Sequence, residues 1–257
     1  MSQVPDALCL NVSRAFKCFD RPLLRELSKT VTVAQWEYGQ SPDEPCSLET
    51  PLVLLHDYLK QSDRPIHLIG HGLSGALGLL YARRHPERVR SLTLLSVGAF
   101  PTIDWQAHYY VQRQFLKCSQ AFVLTQVVTN LFGTQCKATT QRLVSVLEKD
   151  LETSPSSQSL CRQTSLPPGG APVPLMVGRG EYDVVVDPNA LEQWLPWLKE
   201  GDVQWECPDS RHFFHYSHPL AVAERVLDFW RSLPPVRPVT ARPTALQMLS
   251  SLGGDFQ

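Results

Sequence analysis

The stretch Pro65–Arg90, PIHLIGHGLSGALGLLYARRHPERVR, decides how the chain is read. It opens with Ile66, Leu68 and Ile69, an apolar run suited to a buried strand, and its second half, Leu73–Arg84, suits a helix. Between the two lies a glycine-rich hinge, Gly70-His71-Gly72-Leu73-Ser74. A strand-to-helix hinge of this kind is where the pattern G-x-S-x-G holds a nucleophilic serine on a strained turn. Here the central position is Gly72, and the last glycine of the pattern is Ser74.

Working outward, Ala7–Leu10 reads as a short buried strand near the N-terminus. Arg21–Lys29 suits a helix and Thr30–Trp36, rich in β-branched residues, the next strand. Leu48–Gln61 places Leu52, Leu55 and Leu59 on one helical face, with Ser47 as its cap. After the hinge helix comes the strand Ser91–Val97. Apolar strands alternating with helices predict a parallel sheet covered on both faces. The alternation then stops, and helical patterns alone fill about 99–166, beginning with the aromatic group Trp105, Tyr109, Tyr110 and Phe115. Strand character returns at Val173–Val177 and Val203–Cys207, with a helix around Asn189–Lys199 between them and a last helix at Leu220–Leu233. The expected organisation is a core of residues 1–98 and 167–233, a helical cap at 99–166 and a flexible tail at 234–257.

Composition bounds the function. In 257 residues with 43% hydrophobic content there is room for a real core, and a net charge of −1 carries no basic footprint for nucleic acid. Seven cysteines, at Cys9, Cys18, Cys46, Cys118, Cys136, Cys161 and Cys207, show no C-x-x-C pair and read as reduced thiols. No leader and no apolar run of spanning length is seen, so a soluble cytoplasmic protein without an integral membrane segment is expected.

Three separated motifs resemble those of the α/β-hydrolase superfamily, especially its capped proline iminopeptidase-like and esterase-like members. The first is the elbow, whose spacing from Gly72 to the phrase Ala82-Arg83-Arg84-His85-Pro86-Glu87-Arg88 puts Gly72 at the nucleophile position. The second is the turn Gly180-Glu181-Tyr182-Asp183, and the third the loop His212-Phe213-Phe214-His215-Tyr216-Ser217-His218-Pro219. Their order matches the family's nucleophile, acid and histidine, and the resemblance covers roughly residues 7–233. It implies an α/β-hydrolase fold with the cap inserted after the family's sixth strand, and the first two strands of the usual sheet are absent. It also implies Asp183 as acid and His212 as base, with Asp187 as a rival acid. Where the family has a His-Gly pair beside its oxyanion hole, this chain has Asn11-Val12.

The physical weight of these departures is large. A glycine adopts the elbow conformation without strain, so Gly72 keeps the turn and removes the reagent. Loss of the serine in a serine hydrolase costs about 10⁶ in turnover. Ser74, two residues on, projects about 200° around the helix axis from position 72, which makes it a small packing residue before a substitute nucleophile. His71 is a candidate wall residue of the pocket. His215 and His218 lie near His212, but no carboxylate or cysteine stands at metal-ligand spacing, so neither metal nor cofactor is expected. Trp105, Tyr109 and Tyr110 serve either cap packing or an apolar pocket between cap and core.

Three functions remain open. The first is a catalytically impaired hydrolase homologue that binds a small apolar molecule between cap and core, or a protein partner. The second is an active hydrolase using water activated by His212 and Asp183, or using Ser74. The third is a lyase or proton-transfer enzyme with His212 as base. A truncated sheet also makes an exposed edge covered by another chain, a protein partner or a homo-oligomer, a question for solution mass measurement.

Overall fold

The computed structural model describes residues 4–41, 43–44, 47–100, 104–154 and 167–235. Four strands have the burial that the apolar runs foretell: β1 (Ala7–Asn11), β3 (Ile66–His71), β4 (Val89–Leu95) and β5 (Leu175–Gly180) are buried at nearly every position. Such strands need cover on both faces, so they lie inside the sheet. The half-buried strands β2 (Val33–Glu37) and β6 (Val203–Cys207) form its two edges. The order is β2-β1-β3-β4-β5-β6, every pairing parallel.

Helices cover both faces. On one side Leu52, Leu55 and Leu59 of α2 (Glu49–Leu59) and Ala76, Leu77 and Leu80 of α3 (Gly72–Arg84) pack on Leu8, Leu68 and Leu92. On the other, α1 (Lys17–Leu27), the short α8 (Phe214–Ser217) and α9 (Pro219–Ser232) bring Leu23, Leu27, Phe214, Val222, Val226 and Phe229 onto Ile69, Leu95 and Met176. Ser47 does accept from the Glu49 N–H, at 3.1 Å, at the start of α2. Helix α1 starts four residues before the expected Arg21, with Pro22 inside it, because Phe16, Phe19, Leu23 and Leu27 form one buried stripe that runs through the proline. The helix expected around Asn189–Lys199 is cut short: α7 (Pro188–Glu192) is followed by a 3₁₀ turn at Leu195–Trp197, with Pro196 inside it. There Trp194 is buried and its indole N–H bonds the Val97 carbonyl at 2.9 Å.

Between β4 and β5 stand α4 (Trp105–Phe115), α5 (Gln120–Phe132) and α6 (Lys137–Thr153), where the helical cap is expected. Their apolar faces share a third cluster with Phe16, Phe19 and Phe213 of the sheet domain. The far boundary of the expected cap and the tail beyond 235 lie outside the described residues. Among the described residues no helix is long and apolar enough to cross a membrane, and Cys9, Cys18, Cys118, Cys136 and Cys207 are free thiols.

Candidate functional site

Strand β3 ends at His71 and α3 begins at Gly72, whose φ of 51° lies in the left-handed region that glycine adopts without strain. A Cβ built on Gly72 meets nothing within 4 Å. The turn is therefore made, and the space for a side chain is open.

The two loops beyond β5 and β6 bring Asp183 and His212 together. Asp183 and His212 are both buried, with His212 Nδ1 at 3.0 and 3.1 Å from the two carboxylate oxygens. The imidazole donates from Nδ1, which leaves Nε2 for chemistry. Val185 and Val186 add backbone N–H bonds of 2.8 and 3.0 Å to Asp183 Oδ1. Burial alone would raise the Asp183 carboxyl; the charge and hydrogen bond of His212, with the Val186 N–H and the Ser96 hydroxyl, hold it below the ordinary carboxylate range. The acid loop is clamped from beneath by Arg179, a buried guanidinium bonded to the carbonyls of Gly180 and Glu181 and paired with Glu206. Gly180 must be glycine for the loops to meet, since a Cβ there would stand 2.3 Å from the Arg211 carbonyl.

Gly72, His71, Ser74 and His212 line one cavity of about 20 Å³, room for a single water-sized molecule. Asp187 stands apart from the pair, capping α7 by accepting from the Ala190 N–H at 2.8 Å. The Ser74 oxygen is engaged by the backbone. Its Oγ accepts a 3.0 Å hydrogen bond from the Val12 N–H, the amide just past β1. In this fold an N–H from that loop is one of the oxyanion donors, the other being the N–H after the nucleophile. His71 Nε2–H donates to the His212 carbonyl at 3.1 Å, and the Ser96 hydroxyl bonds the same oxygen at 2.9 Å. Burial, then the neighbouring His215 and His212, push His71 well below the usual imidazole range, so its ring is neutral at pH 7.

Several residues of this site have no sequence signal of their own. Asp20 on α1 is buried on the cavity wall, accepts from Asn11 Nδ2 at 2.8 Å and Gln35 Nε2 at 3.1 Å, and faces His215 Nε2 at 3.4 Å. Asn11 Oδ1 is buried and has no hydrogen-bond partner. Ser96 occupies a left-handed φ of 50° at the end of β4, and only the observed turn reveals it. His218 bonds Ser217 Oγ at 2.8 Å on the surface side of the loop. No group of three metal-binding side chains occurs among the described residues.

The helices between β4 and β5 contribute Trp105, Gln106 and Asp150, with Asp104 at the head of α4, to the same wall. Of the aromatic group, Trp105 reaches the cavity, whereas Tyr109 is buried in the cap cluster and Tyr110 packs against it. Where an apolar pocket is expected between cap and core, the wall carries three carboxylates, because Asp20, Asp104 and Asp150 arrive from three separate elements. Asp150 is fully buried; Trp105 Nε1 and Gln106 Nε2 donate to its Oδ2 at 2.9 and 3.1 Å, and the Ser154 hydroxyl to its Oδ1.

Burial outweighs those donors and pushes the Asp150 carboxyl up to about 6. A raised acid keeps its proton in the folded state while the unfolded chain has released it, so stability falls as pH rises from about 4 to about 6 and is flat above. The two units correspond to about 3 kcal/mol. Asp150→Asn keeps an acceptor for Trp105 and Gln106 and turns its amide toward Ser154. The variant is expected to melt several degrees above the parent at pH 7 and to lose the slope between pH 4 and 6; an unchanged slope in thermal melts would refute the assignment.

A model of the Alpha/beta hydrolase family matches residues 10–225 of the chain. An uncharacterized protein of Synechocystis sp. is 46% identical over 224 residues, 87% of this chain and 89% of its own length. One of Nostoc sp. is 44% identical over 231 residues, covering 90% and 92%. Among solved structures, a hydrolase from Pseudomonas aeruginosa aligns over 87% of this chain and 89% of its own, with a TM-score of 0.63 at 20% identity. The enol-lactonase from Burkholderia xenovorans aligns over 90% and 93%, with a TM-score of 0.62 at 20% identity. At that identity the structural likeness speaks for the fold, and it agrees with the six-stranded parallel sheet and its elbow. On the family match and the close relatives together, the chain belongs to the alpha/beta hydrolase family.

Proposed function

We propose that this chain is an α/β-hydrolase homologue without the covalent route of a serine hydrolase, which holds a small polar, hydrogen-bonding molecule in the cavity between Gly72, His212 and the cap. One observation supports the reading: Gly72 turns the chain into α3 at a φ of 51° with open space and no side chain, while Asp183 and His212 are hydrogen-bonded to each other at 3.0 Å. Without that oxygen no acyl-enzyme forms, a deficit on the order of 10⁶ in turnover, or about 8 kcal/mol. The commitment of the Val12 N–H to Ser74 supports the same conclusion, since it withdraws a donor from a developing oxyanion. Small size and a wall of Asn11, Asp20 and Asp150 favour a polar occupant over an apolar one.

A second reading has its own support. The buried Asp183–His212 pair leaves Nε2 available beside a water-sized cavity, the arrangement required for general-base attack by water or for removal of a substrate proton. The two separate in a simple assay. The parent is incubated with a fluorophosphonate probe and with a panel of p-nitrophenyl esters. Impairment predicts neither labelling nor turnover. Labelling lost in Ser74→Ala would establish a displaced nucleophile and end the first reading, and turnover abolished in His212→Ala would establish the second.

A further inference from the structure

The cap carries a surface that the hydrolase site does not use. Helix α4 ends at Phe115 and α5 begins at Gln120, and Arg113 Nη1 spans the joint to Gln120 Oε1 at 3.3 Å, so the two helix ends form one hairpin tip. On or beside this tip Phe115 is 80% exposed, Val111 51%, Phe122 50% and Leu116 36%. Val111 and Phe115 are one helical turn apart and share a face. Single exposed apolar residues are ordinary, but four at one joint, two of them phenylalanine, form a patch.

Charge sets the kind of partner. The whole chain is nearly balanced, with 24 Lys and Arg to 25 Asp and Glu, yet between Asp104 and Glu148 there is no acidic residue, while Arg113, Lys117, Lys137 and Arg142 fall in that interval. Arg113 and Lys117 stand at the tip itself, and neither has an ion-pair partner among the described residues. A second copy docking by the same tip would set these cations against their own equivalents, as a two-fold interface requires. An anionic lipid surface meets both demands: it takes projecting phenylalanine side chains into its interfacial layer and neutralises the cations beside them.

We propose that the α4–α5 tip is a docking site for an anionic membrane surface, with Phe115 and Phe122 as the inserting residues and Arg113 and Lys117 as the headgroup contacts. The proposal goes beyond the hydrolase site and holds whether or not that site is active. Trp105 and Gln106, at the other end of α4, line the cavity, so docking by the tip would hold the cavity within about 15 Å of the inserting Phe115, the length of one short helix.

The test is co-sedimentation of the full chain with phosphatidylcholine vesicles, with and without phosphatidylserine. Binding is expected only to the anionic vesicles, weakening as salt is raised, and falling at least tenfold in Phe115→Glu and in Lys117→Glu. Leu220→Glu, which changes an exposed leucine on α9, is expected to bind like the parent. The exposure of Phe115 means that its substitution leaves the melting temperature unchanged. No sedimentation with anionic vesicles, or equal sedimentation by Phe115→Glu, would overturn the proposal. So would a lipid-free dimer that Phe115→Glu dissolves, which would assign the tip to a second copy.

Discussion

Gly72→Ser is expected to convert an unreactive elbow into one that a fluorophosphonate probe labels, while ester turnover stays low until Ser74 is also replaced by glycine. The first half rests on space and register. A Cβ at position 72 meets no atom within 4 Å, and the position shares its cavity with His212. A serine there must hold the φ of 51° that glycine holds without strain, at a cost of about 1–3 kcal/mol. A fall of several degrees in melting temperature should therefore accompany the gain of reactivity. The second half rests on the bond from the Val12 N–H to Ser74 Oγ. Removing one oxyanion donor from a working site costs about 10²–10³ in turnover. Releasing the Val12 N–H in the double variant should return a gain of that order over Gly72→Ser alone. If Gly72→Ser is not labelled, His212 is out of register with the elbow. If the double variant gains nothing, Val12 is not the missing donor.

Asp183→Asn should destabilise the fold by about 1.5–3 kcal/mol, the usual worth of a hydrogen bond to a charged group, because the carboxylate accepts from His212 Nδ1 and from the Val185 and Val186 N–H groups. In melting temperature this is several degrees. The pair is thus a structural joint between the loops after β5 and β6, tied also by the Tyr182 N–H to the Ser210 carbonyl at 2.8 Å. The pH dependence has a definite sign. The folded carboxyl is depressed, so its contribution is complete above the unfolded value near 4 and is lost as pH falls through the lower folded value. The difference between parent and variant should shrink in strong acid, as pH falls through the lowered folded value of the Asp183 carboxyl. A difference below about 1 kcal/mol at neutral pH would show that the pair holds no loops together.

The strands and the elbow are legible in the chain because each depends on local pattern. Ile66–Ile69 is apolar throughout since its strand has helices on both faces, and the spacing from Gly72 to Pro86 is preserved by one uninterrupted helix. What escaped notice depends on tertiary placement. Asp150 sits in the run Glu148-Lys149-Asp150, which reads as a solvated helical turn, yet α6 turns it into the cap interior against Trp105. Asp20 is equally ordinary in sequence, and becomes a cavity wall only because α1 begins early and carries it under β1. Ser74 has the same history. Helical geometry alone sends its side chain away from position 72, but not onto the Val12 N–H, which depends on the approach of β1 to α3. The aromatic group was ambiguous for a related reason, since Trp105 and Tyr109 lie on one helical face and are divided between cavity and cap core by what packs opposite each.

The elbow also has a meaning in genetic terms. A family member with serine at the turn and glycine two places on differs from this chain by an exchange of those two residues, since here position 72 is glycine and position 74 serine. In the genetic code a glycine codon ending in a pyrimidine lies one base from a serine codon, and the reverse step is equally short. The open space at Gly72 means that the first step meets no clash, and the second removes one buried hydroxyl. Chains of this fold with serine and with glycine at the turn are therefore neighbours in mutational space, connected in either direction by single-base steps.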